Sequence, residues 1–171
     1  MLIAISVLIL AILIGITAYA AVIGAPLAIT GKNHLDQIMA LADLKDGDVF
    51  YELGSGTGRV VAAAAKQAKV KSVGFELSPF FYWLSWLNLK IRSDRNWELR
   101  WQDFFKADLS EADVVFCYLM PKTLKRMKNK FEKELKPDAK VITYAFRLHY
   151  WPIEKTVKNP DQLPFYLYIK K

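Results

Sequence analysis

No charged side chain stands before Lys32, and the 171-residue chain has only one cysteine, Cys117, and two histidines. The lone cysteine excludes an internal disulfide, and so few Cys and His residues exclude a Cys/His zinc site, so no metal is expected. All 24 basic and 17 acidic residues fall from Lys32 onward, so two compositions are joined end to end. The later part has an ordinary soluble-domain charge content and enough Leu, Val, Phe and Trp to bury a core, which excludes a disordered tail. The net charge of +7 does not by itself choose among nucleic acid, anionic lipid and acidic partners.

From Met1 to Gly24 the chain is dominated by Leu, Ile, Ala and Val. At about 1.5 Å per helical residue this covers roughly 36 Å, against a hydrocarbon core of ~30 Å, and predicts a transmembrane anchor over residues 1–24. Ala18-Tyr19-Ala20 has the small-x-small spacing of a cleavage site. A signal peptide, however, needs a basic leader and an apolar run of only ~7–15 residues. Lys32 and Lys45 both lie on the C-terminal side, which orients the globular part toward the cytosol. Residues 25–34 read as a linker, and residues 35–171 as the globular domain.

Leu35, Ile38, Met39, Leu41 and Leu44 fit one face of a short helix. The turn at 45–48 leads into a first strand, Val49–Leu53, followed by a glycine loop and an Ala-rich helix. Strands are expected at Val70–Glu76, Trp97–Trp101, Ala112–Tyr118 and Ala139–Phe146. Helices are expected over Phe80–Ile91, with Ser78 as N-cap and Pro79 at the first position, and over Pro121–Leu135. Such alternation predicts an α/β fold, a mostly parallel sheet covered by helices on both faces. Ile153–Lys158 and Phe165–Lys170 read as a closing antiparallel pair.

Gly54-Ser55-Gly56-Thr57-Gly58 follows the first strand directly, where glycines permit close backbone approach and aim the next helix's N-terminus at a ligand. The spacing is not the dinucleotide fingerprint, and no G-K-[ST] follows, which excludes a P-loop. Glu76 closes the second strand, where nucleotide-binding sheets place a carboxylate for ribose hydroxyls. Asp103 and Phe104, just after the third strand, suit an adenine amino group and ring. Glu52, two residues before the loop, favours a cationic group over phosphate. Together these point to S-adenosylmethionine, with Glu52, Gly54, Ser55, Gly56, Gly58, Glu76, Asp103 and Phe104 as cofactor-binding candidates. A β-branched residue at position 56 is expected to obstruct the approach.

Over almost all of residues 35–171 the chain resembles class I S-adenosylmethionine-dependent methyltransferases. More narrowly it resembles the membrane-anchored protein lysine methyltransferases that act on the adenine nucleotide translocase and the c-type subunit of ATP synthase, with their prokaryotic relatives. The resemblance is carried by Tyr51–Arg59, Gly74–Phe80, Asp103–Lys106, Leu109-Ser110, and Phe146 followed by Trp151-Pro152, after an uncharged N-terminal stretch. Glu52 and Thr57 depart from the family's usual residues. The resemblance implies a Rossmann-like, mostly parallel seven-stranded sheet ending in an antiparallel hairpin, preceded by one transmembrane helix.

Phe80, Phe81, Tyr82, Trp83 and Trp86 crowd one helix, either as cofactor-side core or as an interfacial aromatic belt. The helix from Pro121 pairs an apolar stripe with a basic face, either solvated or near anionic lipid. Tyr118-Leu119-Met120-Pro121 lacks the N/D-P-P-Y/F pattern of base-modifying enzymes, which argues against nucleic acid. Cys117 reads as core and His149 as surface or packing. Methyl transfer needs alignment and desolvation rather than a covalent intermediate. No catalytic side chain is assigned, and Tyr118, Pro121 and Trp151 are candidates for an acceptor channel. The expected activity is methylation of a lysine on a membrane or membrane-proximal protein. The alternatives are a lipid, quinone or other small apolar acceptor, and a non-catalytic S-adenosylmethionine-binding module.

Overall fold

The computed structural model describes residues 5–7, 11–12, 14–15, 31–67, 69–92, 96–160 and 162–171. Most of the expected anchor and linker therefore lies outside the described residues. The parts of residues 1–24 that are described are helical and exposed. Among the described residues no helix is long and apolar enough to cross a membrane.

Seven strands form one sheet: β1 (Val49–Leu53), β2 (Lys71–Glu76), β3 (Trp97–Trp101), β4 (Val114–Cys117), β5 (Lys140–Tyr144), β6 (Lys155–Val157) and β7 (Phe165–Ile169). From residue 31 onward the described helices are α1 (Lys32–Ala42), α2 (Arg59–Ala65), α3 (Pro79–Arg92) and α4 (Pro121–Glu134). The sheet order is β3-β2-β1-β4-β5-β7-β6. The first five strands are parallel, and β7 runs antiparallel to both β5 and β6, as the sequence pattern predicts.

Central strands read as apolar runs because both faces of a parallel sheet are covered. Phe50 turns to one face, where Ile38, Leu41 and Ala42 of α1 and Val60 and Ala64 of α2 bury it. Tyr51 and Leu53 turn to the other, against Leu124, Met127 and Phe131 of α4. Cys117 is fully buried there, and burial alone pushes its thiol up to about 12.

Several ends shift from expectation for local reasons. The linker boundary moves, because α1 already begins at Lys32. It stops at Ala42 because Asp43 adopts φ 44°, a left-handed conformation that closes the helix. Strand β5 stops at Tyr144 because Ala145 takes φ 68° and turns the chain away from the sheet. At the start of α3, Ser78 Oγ accepts the Phe81 N–H at 3.4 Å and Pro79 needs no donor, as expected for that cap.

The register levels the carboxyl ends. Leu53 lies beside Phe75 on one side and Cys117 on the other, and Glu76 lies beside Trp101. From β1 the chain proceeds outward through β2 and β3, then returns to add β4 on the opposite side. That reversal opens a crevice at the carboxyl ends, where α/β sheets bind ligands.

Candidate active site

The glycine loop borders this crevice, directly after β1. Gly54 and Ser55 both donate their N–H groups to the Phe75 carbonyl, at 3.0 and 2.9 Å, which fastens the loop to the end of β2. Gly58 N–H closes the loop on the Ser55 carbonyl at 2.7 Å. Gly54, Gly56 and Gly58 have φ of 82°, 52° and 73°, which only glycine adopts at little cost. A Cβ at Gly56 would meet no protein atom within 4 Å, so the expected obstruction there is not against the protein. A Cβ at Gly58 would collide with the Ser85 hydroxyl and lie 3.2 Å from the Ser85 carbonyl, so Gly58 is what lets α3 pack on the start of α2.

Two carboxylates lie under the loop. Glu52 is buried within β1, with one oxygen accepting the Val61 N–H at 3.1 Å. Burial holds its carboxyl well above the usual range, and the neighbouring Glu76 charge pushes the same way. Glu76 is also buried, and burial raises its carboxyl too, opposed by backbone donors. One of its oxygens accepts the Gly56 N–H at 2.9 Å, the other the Ser78 N–H at 2.8 Å. Each oxygen keeps a second lone pair, so Glu76 ties loop to helix and can still accept from a ligand.

Asp103 is half-buried after β3 and accepts the Phe105 N–H through Oδ1 at 2.9 Å. Phe104 is buried beside Phe105, with ring centres 4.8 Å apart. The Gln102 N–H donates to the Glu76 carbonyl at 3.1 Å, so this corner is fastened to the end of β2. The cofactor candidates from Glu52 to Phe104 therefore gather at the carboxyl ends of β1, β2 and β3.

The channel candidates do not gather as closely. Tyr118 packs against the α1-side core, 5.0 Å from Tyr144 and stacked on Phe146 at 6.4 Å. Trp151 packs against the α4-side core, 6.2 Å from Phe131, and Pro121 is exposed at the start of α4. Period-two reasoning stops at the strand ends, where these residues lie. His149 is exposed, as expected.

Sequence reasoning missed two supports. Asn88 of α3 donates through Nδ2 to the Thr57 carbonyl at 3.0 Å, clamping the loop from the helix. The strained Ala145 sets a tight turn in which Thr143 Oγ1 donates to the Phe146 carbonyl at 2.7 Å, fixing the Phe146 backbone beside Tyr118. A lone Asn between Leu87 and Leu89 is the signal the first leaves in the sequence.

The residues present fit S-adenosylmethionine. The Ser55 hydroxyl is buried with no hydrogen-bond partner, Gly56 faces open space, and buried carboxylates flank the loop. Among the described residues no cluster suits a metal ion.

Fold and site define an S-adenosylmethionine-dependent methyltransferase of the Rossmann-like class. The chain belongs to the ANTKMT methyltransferase domain family, whose profile matches residues 52–155. It is 30% identical to a protein-lysine N-methyltransferase of Saccharolobus islandicus, over 80% of this chain and 86% of that one. It is 32% identical to the human lysine N-methyltransferase of the c-type ATP synthase subunit over 70% of this chain, but spans only 51% of that longer protein. Among solved structures it superposes on an RNA methyltransferase from Salinibacter ruber in complex with S-adenosyl-L-homocysteine. That match has a TM-score of 0.77 and 33% identity, covering 83% of this chain and 93% of that one.

Proposed function

We propose that this chain is a membrane-anchored protein-lysine N-methyltransferase: residues 1–24 span the bilayer, 25–31 link, and the domain, which begins with α1 at Lys32, faces the cytosol. The observation that carries the acceptor class is the likeness to relatives named as lysine N-methyltransferases, one of them matched over most of its length. The uncharged stretch before Lys32 supports the anchor.

S-adenosylmethionine, when bound, supplies an electrophilic methyl group on sulfur. The chain's part is to hold and orient. Glu76 accepts from ribose hydroxyls, Asp103 and Phe104 receive the adenine, and the loop from Gly54 to Gly58, with Ser55, lies along the remainder. Glu52 offers a buried carboxyl to a cationic amino group. A lysine side chain has an ordinary pKa near 10.4 and must lose its proton before it can attack. Aromatic walls favour the neutral amine by excluding water. The stacked Tyr118 and Phe146 rings at the ends of β4 and β5 are the best-supported wall.

The test is transfer of labelled methyl from S-adenosylmethionine into native membranes by the full-length protein, followed by separation of protein, lipid and RNA. The expected result is label in protein, released on hydrolysis as methyl-lysine. Label in the lipid extract would assign a small apolar acceptor. Label in RNA would favour the activity named for the Salinibacter ruber structure. Cofactor binding without transfer would leave a binding module.

A further inference from the structure

Helix α3 turns one face inward and another to solvent. Ser85 and Leu89 are fully buried, and Asn88 beside them clamps the glycine loop. On the opposite face Phe80, Trp83, Leu87 and Ile91 follow one another at spacings of three, four and four, a single stripe on a helix. Their exposures are 62%, 63%, 50% and 74%, values that polar residues usually show. Trp86 flanks the stripe, and Trp101, at the end of β3, is exposed with its ring 6.2 Å from Tyr82. A contiguous exposed apolar face of this kind marks a site of interaction.

Charge identifies the partner. Lys90 and Arg92 occupy the last turn of α3, and the Lys90 ammonium lies 5.6 Å from the Trp86 ring and 5.7 Å from the Trp97 ring. Its stem thus follows apolar surface while its charge stays at the rim, the habit of residues at a membrane boundary. Arg92 also lines a cavity of about 420 Å³ between α1, α2 and α3. Lys32, Arg59 and Lys66 line it too, with Asp36 the single carboxylate. Lys32 is also the first charged residue after the apolar N-terminal stretch, so the chain enters the domain at this cavity. An aromatic stripe, a basic end and an apolar entry on one side of the sheet match an anionic bilayer surface.

We propose that the Phe80–Ile91 face of α3 seats in the interfacial layer of an anionic bilayer, with the cavity's cations receiving lipid phosphate. The inference rests on the anchored reading and adds an orientation to it. The basic face of α4 lies across the sheet, so α3 and α4 cannot both lie on one membrane plane. Seating α3 also fixes the site, because Trp101 Nε1 donates to the Leu77 carbonyl at 2.9 Å, next to Glu76.

The experiment uses the full-length protein in vesicles of phosphatidylcholine, with and without phosphatidylglycerol, carrying brominated acyl chains. An environment-sensitive dye is placed through Ile91→Cys or, as a control on α4, through Lys125→Cys. The buried native Cys117 stays unlabelled. Flotation with vesicles reports the anchor, and bromine quenching reports the seat. The expected result is strong quenching at position 91, none at position 125, and loss of the phosphatidylglycerol-dependent part in a Lys32→Glu/Arg92→Glu variant. Protein that floats with position 91 unquenched, or with position 125 quenched instead, overturns the seat and leaves the anchor standing. Protein that does not float overturns both. Quenching at position 91 that ignores phosphatidylglycerol overturns the phosphate role of the cavity.

Discussion

A carboxylate removed from water is costly unless donors replace the lost solvent, and Glu52 and Glu76 meet that condition unequally. Among the described residues Glu76 has a backbone N–H on each oxygen, whereas Glu52 has the one from Val61. Glu76 therefore has two tasks, holding the loop to α3 and gripping ribose. Glu76→Ala is expected to lose charged hydrogen bonds of ~1.5–3 kcal/mol, roughly a 10- to 150-fold loss of cofactor affinity by calorimetry. It should also lower the melting temperature, and unchanged affinity would reject the ribose role. For Glu52 the consequence lies in pH. Its folded pKa lies above its ordinary value of 4.5, so the folded protein keeps a proton that the unfolded chain releases. That contribution to stability is fully present below about pH 4.5 and is lost as pH rises toward the folded pKa. Glu52→Gln removes the titration, so its stability relative to the parent should grow from acidic toward neutral pH in thermal unfolding. A difference that does not change with pH would show that the carboxyl is unperturbed.

The glycine loop separates two roles that its repeated spacing makes look alike. Gly56 and Gly58 both have positive φ, but only at Gly58 does a neighbour occupy the place of a Cβ. Gly56→Ala should cost about 1–2 kcal/mol for the left-handed backbone alone. Gly58→Ala should add overpacking of about 1–3 kcal/mol against α3. Denaturant midpoints of the two variants measure the difference, and equal values would place the contact elsewhere. This distinction could not be read from the sequence, because it depends on where α3 crosses α2. The strands were legible, since buried apolar runs such as Val114–Cys117 lie between turn residues. So were Glu52, Glu76 and Asp103, because a charge at the end of such a run has a fixed place in a parallel sheet. The separation of Tyr118 from Trp151 was not legible, because beyond the strand ends direction is set by the turn at Ala145 rather than by alternation. The Asn88 clamp was hidden for the same reason as Gly58: it joins a helix to a loop 31 residues away.

At the scale of the whole molecule, the described residues from Gly31 onward tie the globular part together among themselves. Helix α1 begins at Lys32 and buries Ile38, Leu41 and Ala42 against Phe50 and Phe116, while every proposed cofactor contact lies at Glu52 or beyond. Lys140 Nζ also donates to the Ala42 carbonyl at 2.8 Å, tying the end of α1 to the sheet. A chain shortened to begin at Gly31 should therefore fold and bind S-adenosylmethionine with unchanged affinity by calorimetry. Methylation of a membrane-embedded acceptor should nevertheless fall sharply. An anchor confines enzyme and acceptor to one thin layer, and in tethered pairs such confinement is worth gains of ~10²–10⁴-fold. A soluble lysine peptide should be methylated equally by both forms, because tethering gives it no advantage. Rates measured on the same acceptor in vesicles and on the peptide in solution make the comparison. A shortened chain that keeps its full rate in vesicles would mean that the apolar segment plays no part in presenting the acceptor, and would shift the reading toward a soluble one.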